Sequence, residues 1–212
     1  RTSAVFGATT YKFTDQIGLS LEGRYQEDES DQGFTASGQQ MKKTFPNFMP
    51  RVILQYQPAE ETNLYLTYAK GNLPGGFNAQ VLEMTDDERQ QLKDQVGGSA
   101  YVGEEELQNY ELGWKQQLFN NRMSFDLAAY YMKWKNQQTT VQAMLYNPSH
   151  PNADPVTGLR PIQLTVGAGK TDLWGIELTA DALVGDYTKV GMTFNWAPSE
   201  YKEFYCGFVE RF

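Results

Sequence analysis

The stretch NYELGWKQQLFNNRMSFDLAAYYMKWK (residues 109–135) decides the fold. Before its Phe119-Asn-Asn121 turn, Tyr110, Leu112 and Trp114 alternate with Asn109, Glu111, Gly113 and Lys115. After the turn, Met123, Phe125, Leu127, Ala129 and Tyr131 alternate with Ser124, Asp126, Ala128 and Tyr130. Two arms of period two around a short polar turn read as an antiparallel hairpin with one apolar and one polar face. Neither arm has the 3.6-residue spacing of a helix.

The pattern extends in both directions. Ile17, Leu19, Leu21, Gly23 and Tyr25 oppose Gly18, Ser20, Glu22 and Arg24. Trp174, Ile176, Leu178, Ala180 and Ala182 oppose Gly175, Glu177, Thr179 and Asp181, and Val190, Met192, Phe194 and Trp196 oppose Gly191, Thr193 and Asn195. Short turns at 13–16, 58–62, 119–121 and 185–187 alternate with long polar loops at 27–48, 71–105 and 147–161. The expectation is eight antiparallel strands near 3–12, 17–26, 50–57, 63–70, 106–118, 122–146, 162–184 and 189–204. Two of these exceed the ordinary globular strand of about 3–10 residues, as strands do when they cross a bilayer and continue beyond it.

Composition permits this. The chain has 212 residues, 40% hydrophobic and 14% aromatic, with a mean hydropathy of −0.58. No run approaches the roughly 18 apolar residues of a spanning helix, but spanning strands alternate and leave average hydropathy low. Net charge is −8, and Lys42-Lys43 is the one basic pair, so nucleic acid is not an expected partner. A single cysteine, Cys206, excludes an internal disulfide and a cysteine-based zinc site. The single histidine, His150, lies in a Pro- and Asn-rich loop and reads as solvated. No catalytic residue, cofactor or metal site is expected, and the chain is not expected to be an enzyme.

Aromatics of the apolar face gather near strand ends (Tyr25, Tyr56, Tyr68, Tyr110, Tyr131, Trp174, Trp196), as in the interfacial girdles of outer-membrane barrels. A soluble β-sandwich binding module also alternates and stays open as an alternative. With short turns periplasmic and long loops outside, both ends of the chain fall on the outer side, the expectation for an internal segment of a larger barrel. A complete eight-stranded barrel or passive channel is the other membrane reading. Small inward residues (Gly18, Gly113, Ala128, Gly175, Gly191) fill space poorly, which points to a wide or occupied lumen.

Three ordered stretches carry a family resemblance. MPRVILQYQPAEETNLYLTYAKGNLPGGFN (49–78) resembles the Pro-Arg strand, Leu-Tyr strand and Lys-Gly-x-x-Pro-Gly-Gly-Phe-Asn loop of TonB-dependent outer-membrane receptors. EELQNYELGWKQQLFNNRMSFDLAAYYMKWKNQQ (105–138) is similar to that family's Tyr-Glu-x-Gly-x-Lys hairpin, and GAGKTDLWGIELTAD (167–181) to its Ala-Gly-Lys … Gly-x-Glu strand. The resemblance implies an all-β, up-and-down transmembrane barrel of about 22 strands closed by a plug. Residues 1–212 would supply about eight of those strands, a barrel portion without plug or energy-coupling box. It also implies residence in the outer membrane of a Gram-negative-type cell, contact with its lipid, a plug domain and TonB as partners, and uptake of a scarce small ligand such as a ferric siderophore.

Weaker chemical signals compete. YAKGNLPGGFN (68–78) follows a strand and precedes a helix-like run (85–95) with a Thr85–Glu88 capping-box pattern and Gly97 as its stop. It has neither the Gly-Lys-Ser/Thr of a P-loop nor a dinucleotide glycine spacing, so it reads as the base of an extracellular loop. The acidic run 26–32 lacks the order of a calcium loop, and Glu104-Glu105-Glu106 reads as the start of a strand. Candidate ligand- or lumen-lining residues are Arg24, Asn109, Tyr130 and Trp134 on the inward face, with Phe77 and Asn78 in the loop.

Overall fold

The computed structural model describes residues 1–34, 38, 40–167 and 169–204. Its first elements are β1 (Thr2–Lys12), β2 (Ile17–Phe34), β3 (Gln40–Ala59) and β4 (Thr62–Leu73). Then come β5 (Gly76–Phe77), a 3-10 helix (Ala79–Glu83), helix α1 (Asp86–Val96) and β6 (Tyr101–Val102). The rest of the chain forms β7 (Glu105–Leu118), β8 (Met123–Lys135), β9 (Gln138–Tyr146) and β10 (Leu159–Gly167), then β11 (Gly169–Val184), β12 (Thr188–Trp196) and β13 (Ser199–Phe204).

One sheet dominates, in the order β1-β2-β3-β4-β7-β8-β11-β12, with β13 also paired to β11. Each neighbour runs antiparallel to the next. Its outer strands, β1 and β12, do not pair with each other, so the wall is open and the closed eight-stranded alternative is not what this chain forms.

Register turns the alternation of single strands into two continuous faces. Tyr68 stands across from Tyr110, Tyr110 from Tyr131 and Tyr131 from Trp174, a row of aromatics over four strands. Leu66, Leu112, Ala129 and Ile176 form the next row on that face. The other face carries Thr67, Glu111, Tyr130 and Gly175 in one row, and Asn63, Lys115, Asp126 and Thr179 in another. The apolar face is uncovered: Leu112 is 59% exposed, Val190 54% and Phe194 52%. A soluble sandwich buries this face against a second sheet; here the bilayer is the partner that fits it.

Burial is instead concentrated beyond the wall. Val81, Met84, Leu92 and Val96 from the segment after β4 pack with Ala143, Leu145, Ile162, Leu164 and Val166 from β9 and β10. This small core lies at the long-loop end, where the chain leaves the membrane and a water-excluding interior becomes necessary.

Four expectations are corrected. Most of 27–48 is strand, because β2 and β3 stay paired from Gln26–Asn47 to Asp31–Lys42. Outside the bilayer the faces follow another rule: one side of this hairpin buries Met41 and Phe45 (1% and 2% exposed), Phe45 against Gly75 of the next long loop, while the other carries the Glu29–Lys42 ion pair (3.1 Å). The strand expected over 122–146 divides at Asn136, whose φ of 53° lies in the left-handed region asparagine tolerates and a continuing strand does not. The strand expected over 162–184 is two, β10 and β11, which pair with different partners. The strand expected over 189–204 divides at Ala197-Pro198, since proline has no N–H for the ladder.

Candidate functional site

The polar face is organised by cross-strand partners. Tyr65 Oη donates to Glu111 Oε1 (2.8 Å), and its ring lies over Gly113, where a β-carbon would come within 2.1 Å of it. Lys115 Nζ sits 5.7 Å from the centroid of the same ring and 2.7 Å from Asp126 Oδ2. Tyr130 occupies the space over Gly175 in the same way. The inward glycines at 113 and 175 are therefore not gaps: tyrosines from neighbouring strands fill them, the pairing that relieves crowding in curved sheets.

Two of the depressions among the described residues lie along this wall. One, of about 440 Å³, is bounded by Arg51, Tyr65, Thr67, Asn109 and Glu111. The other, of about 520 Å³, lies toward the short turns among Glu60, Glu61, Lys115, Asp126 and Asp181. Both are hydrogen-bonding walls with mixed charge. Among the described residues no group of three or more His, Cys, Asp or Glu side chains could hold a metal ion.

The six candidates fall in different surroundings. Arg24 is exposed on β2, its Nε donating to Gln26 Oε1 (2.8 Å). Asn109 borders the 440 Å³ depression, and its Oδ1 is enclosed without a hydrogen-bond partner among the described residues. Tyr130 lies one strand from Asn109's own, across from Glu111. Trp134 Nε1 donates to Glu105 Oε2 (2.7 Å) nearer the long-loop end. Phe77 packs edge-on to Tyr101 at 5.6 Å, within the loops. Asn78 is buried rather than facing the lumen, its Nδ2 donating to Ser99 O and Thr165 O (2.8 Å each) and its Oδ1 accepting from Thr165 N (2.9 Å). Wall and loop candidates thus do not converge on one cluster.

Sequence reasoning missed Tyr65, Glu111 and Arg51, although all three occupy polar positions of alternating runs. It also passed over Glu105, whose buried carboxylate accepts from both Trp134 Nε1 and Gln138 N (2.7 Å each) and so fastens β8 to the base of β9. Its one sequence signal is an acid placed where a strand begins.

The loops have ordered structure of their own, a capped helix tied to a strand. Thr85 Oγ1 accepts from Glu88 N (3.3 Å), and Glu88 Oε2 accepts from Thr85 N (2.9 Å), the expected capping box. Gly97 ends α1 at φ 65°, where glycine costs least. Glu88 Oε1 also accepts from Arg160 Nε and Nη2 (3.1 and 2.8 Å), tying α1 to β10. Burial pushes the Glu88 carboxyl up, but the Thr85 N–H, Arg160 and Asn147 outweigh it and hold the group at about 2.

Comparison with known proteins agrees with this architecture. The chain aligns over 96% of its length with the ferric yersiniabactin uptake receptor of Yersinia pestis, at 19% identity, a TM-score of 0.68 and 28% coverage of that chain. For the alcaligin outer membrane receptor of Bordetella pertussis the figures are 97%, 13%, 0.61 and 32%. For the ferripyoverdine receptor of Pseudomonas aeruginosa, solved bound to ferripyoverdine, they are 95%, 16%, 0.59 and 23%. At these identities the likeness is one of fold, and the chain spans about a third or less of the length of each. No curated protein sequence matches significantly. The family model described as TonB dependent receptor-like, beta-barrel matches residues 1–205, and the chain belongs to that family.

Proposed function

We propose that this chain is part of the wall and extracellular loops of an outer-membrane receptor for active uptake of a scarce small ligand of the ferric-siderophore class. The observation that carries the reading is the two-faced open sheet, apolar side uncovered and polar side lined with paired charges, with loops folded at one end. That arrangement suits lipid outside, a hydrated and occupied lumen inside, and ligand arriving from the loop side. The ferric yersiniabactin, alcaligin and ferripyoverdine receptors share this fold, which supports the ligand class.

In this reading the remaining strands and a plug complete the barrel, and TonB at the inner membrane supplies the energy. Arg24, Asn109, Tyr130 and Trp134 line the path for ligand or plug. Phe77 sits above it in the loops, and Asn78 holds those loops in shape. Transport, not covalent chemistry, is the activity. The test is iron-limited growth of a receptor-deleted host carrying the complete gene, supplied with a panel of ferric siderophores. The expected result is TonB-dependent growth on at least one. Growth that persists without TonB would indicate a passive channel, and no uptake of any would remove the proposal.

A further inference from the structure

The segment between β4 and β7 and the segment between β8 and β11 are joined by side-chain amides that act as substitute strands. Helix α1 lies along the free edge of β9. From it Gln91 Nε2 donates to Tyr146 O (3.0 Å) while Gln91 Oε1 accepts from Tyr146 N (2.7 Å). Four residues on, Gln95 Nε2 donates to Met144 O (2.8 Å) and Gln95 Oε1 accepts from Met144 N (3.1 Å). Each carboxamide thus makes both hydrogen bonds that an adjacent strand would make.

The spacing explains the fit. Four helical residues rise about 6 Å, and two strand residues about 6.6 Å, so one turn of α1 matches the repeat of the β9 edge. The opposite edge of this two-stranded sheet is closed in the same manner. Asn78 forms its paired amide contact with Thr165 on β10 (2.8 and 2.9 Å), and Gln80 Nε2 donates to Gln163 O (2.7 Å). A two-stranded sheet alone is marginal and has two open edges; here the other segment closes both. Beneath them the buried cluster draws residues from both segments.

We propose that these two loops are one folding and moving unit, a single lid clasped by carboxamides, rather than two independent arms. The lid leaves the wall at Pro74, at Gly103 and at Asn136 in its left-handed conformation, and Gln138 Nε2 ties the first two together by donating to Pro74 O and Gly103 O (3.0 Å each). Displacing either loop carries the other, so contact with one is transmitted to both. The proposal holds whatever the cargo; only the lid's place above a transport path rests on the function proposed above.

Amide hydrogen exchange on the complete protein in detergent tests this without any transport assay. Asn78→Ala removes contacts at β10 and at Ser99 but touches no residue of α1. Exchange is expected to become about 10- to 100-fold faster in β9, β10 and α1 together. Acceleration confined to β10 and the residues next to 78 and 99 would overturn the single unit. The paired variant Gln91→Glu with Gln95→Glu keeps size and helix propensity but sets acceptors against two carbonyls. It is expected to speed exchange on β10 as well as β9, and a change limited to β9 would contradict the proposal.

Discussion

At Gly113 there is no room for a β-carbon, because the Tyr65 ring would lie 2.1 Å away. Gly113→Ala must therefore displace that ring from its hydrogen bond to Glu111. Overpacking of this kind costs about 1–3 kcal/mol. Thermal unfolding of the detergent-solubilised protein should show the loss, and Tyr65→Ala in the same chain should recover part of it, the coupling expected of residues in contact. Equal unfolding temperatures for Gly113→Ala and the parent would remove the contact from the account. The sequence marked Gly113 as inward but not what fills it. One strand's alternation assigns a face, whereas the occupant comes from the neighbouring strand and depends on register. The same limit applies to Asn78, whose type and position suggested a loop contact while its three side-chain hydrogen bonds come from residues 21 and 87 positions away.

Helix α1 was legible as an element because its signals are local: Thr85 and Glu88 at the start, Gly97 at the end. Thr85→Ala should cost about 1 kcal/mol of local stability, measurable as faster exchange of the first α1 amides. Glu88 adds a pH dependence. Its folded carboxyl is lowered from 4.5 to about 2, so the stabilisation is present above the unfolded value and is lost as pH falls through the folded one. Wild type should be more stable than Glu88→Gln at pH 7, and the difference should shrink between about pH 4.5 and 2. A difference that stayed constant over that range would show that the Arg160 contact does not depend on the charge. What α1 packs against was not legible. Its partner β9 is the far half of a run that reads as one strand with β8, and the break at Asn136 has only a backbone angle to announce it.

For the whole molecule, the two-faced sheet was written in the period of two, and the eight-strand wall followed from it. The extensions beyond the membrane were harder to place, because past Gln26 and Asn47 no lipid imposes an apolar face; Met41 and Phe45 are buried by loop contacts distant in sequence, among charged and polar neighbours. The buried cluster at the loop end also draws on positions far apart in sequence, with no periodicity to link them. The asymmetry of the faces has an energetic consequence. Leu112→Lys on the apolar face should destabilise the membrane-inserted protein by about 2–4 kcal/mol if it lies near the midplane. Thr179→Lys on the polar face should cost far less. Equal costs in denaturant unfolding from liposomes would mean that the two faces meet the same solvent.

The central claim is that one face of this wall meets lipid and the other a hydrated lumen. Spin labels placed singly along β7 from Tyr110 to Gln116 and along β12 from Val190 to Trp196, in a Cys206→Ser background reconstituted into liposomes, test it most directly. The account predicts that collisions with dissolved oxygen peak at Leu112, Trp114, Met192 and Phe194. Collisions with a water-soluble nickel complex should peak at Glu111, Lys115, Gly191 and Thr193, the two profiles out of phase with a period of two. Profiles in phase, or uniform access of the nickel complex to both faces, would contradict it.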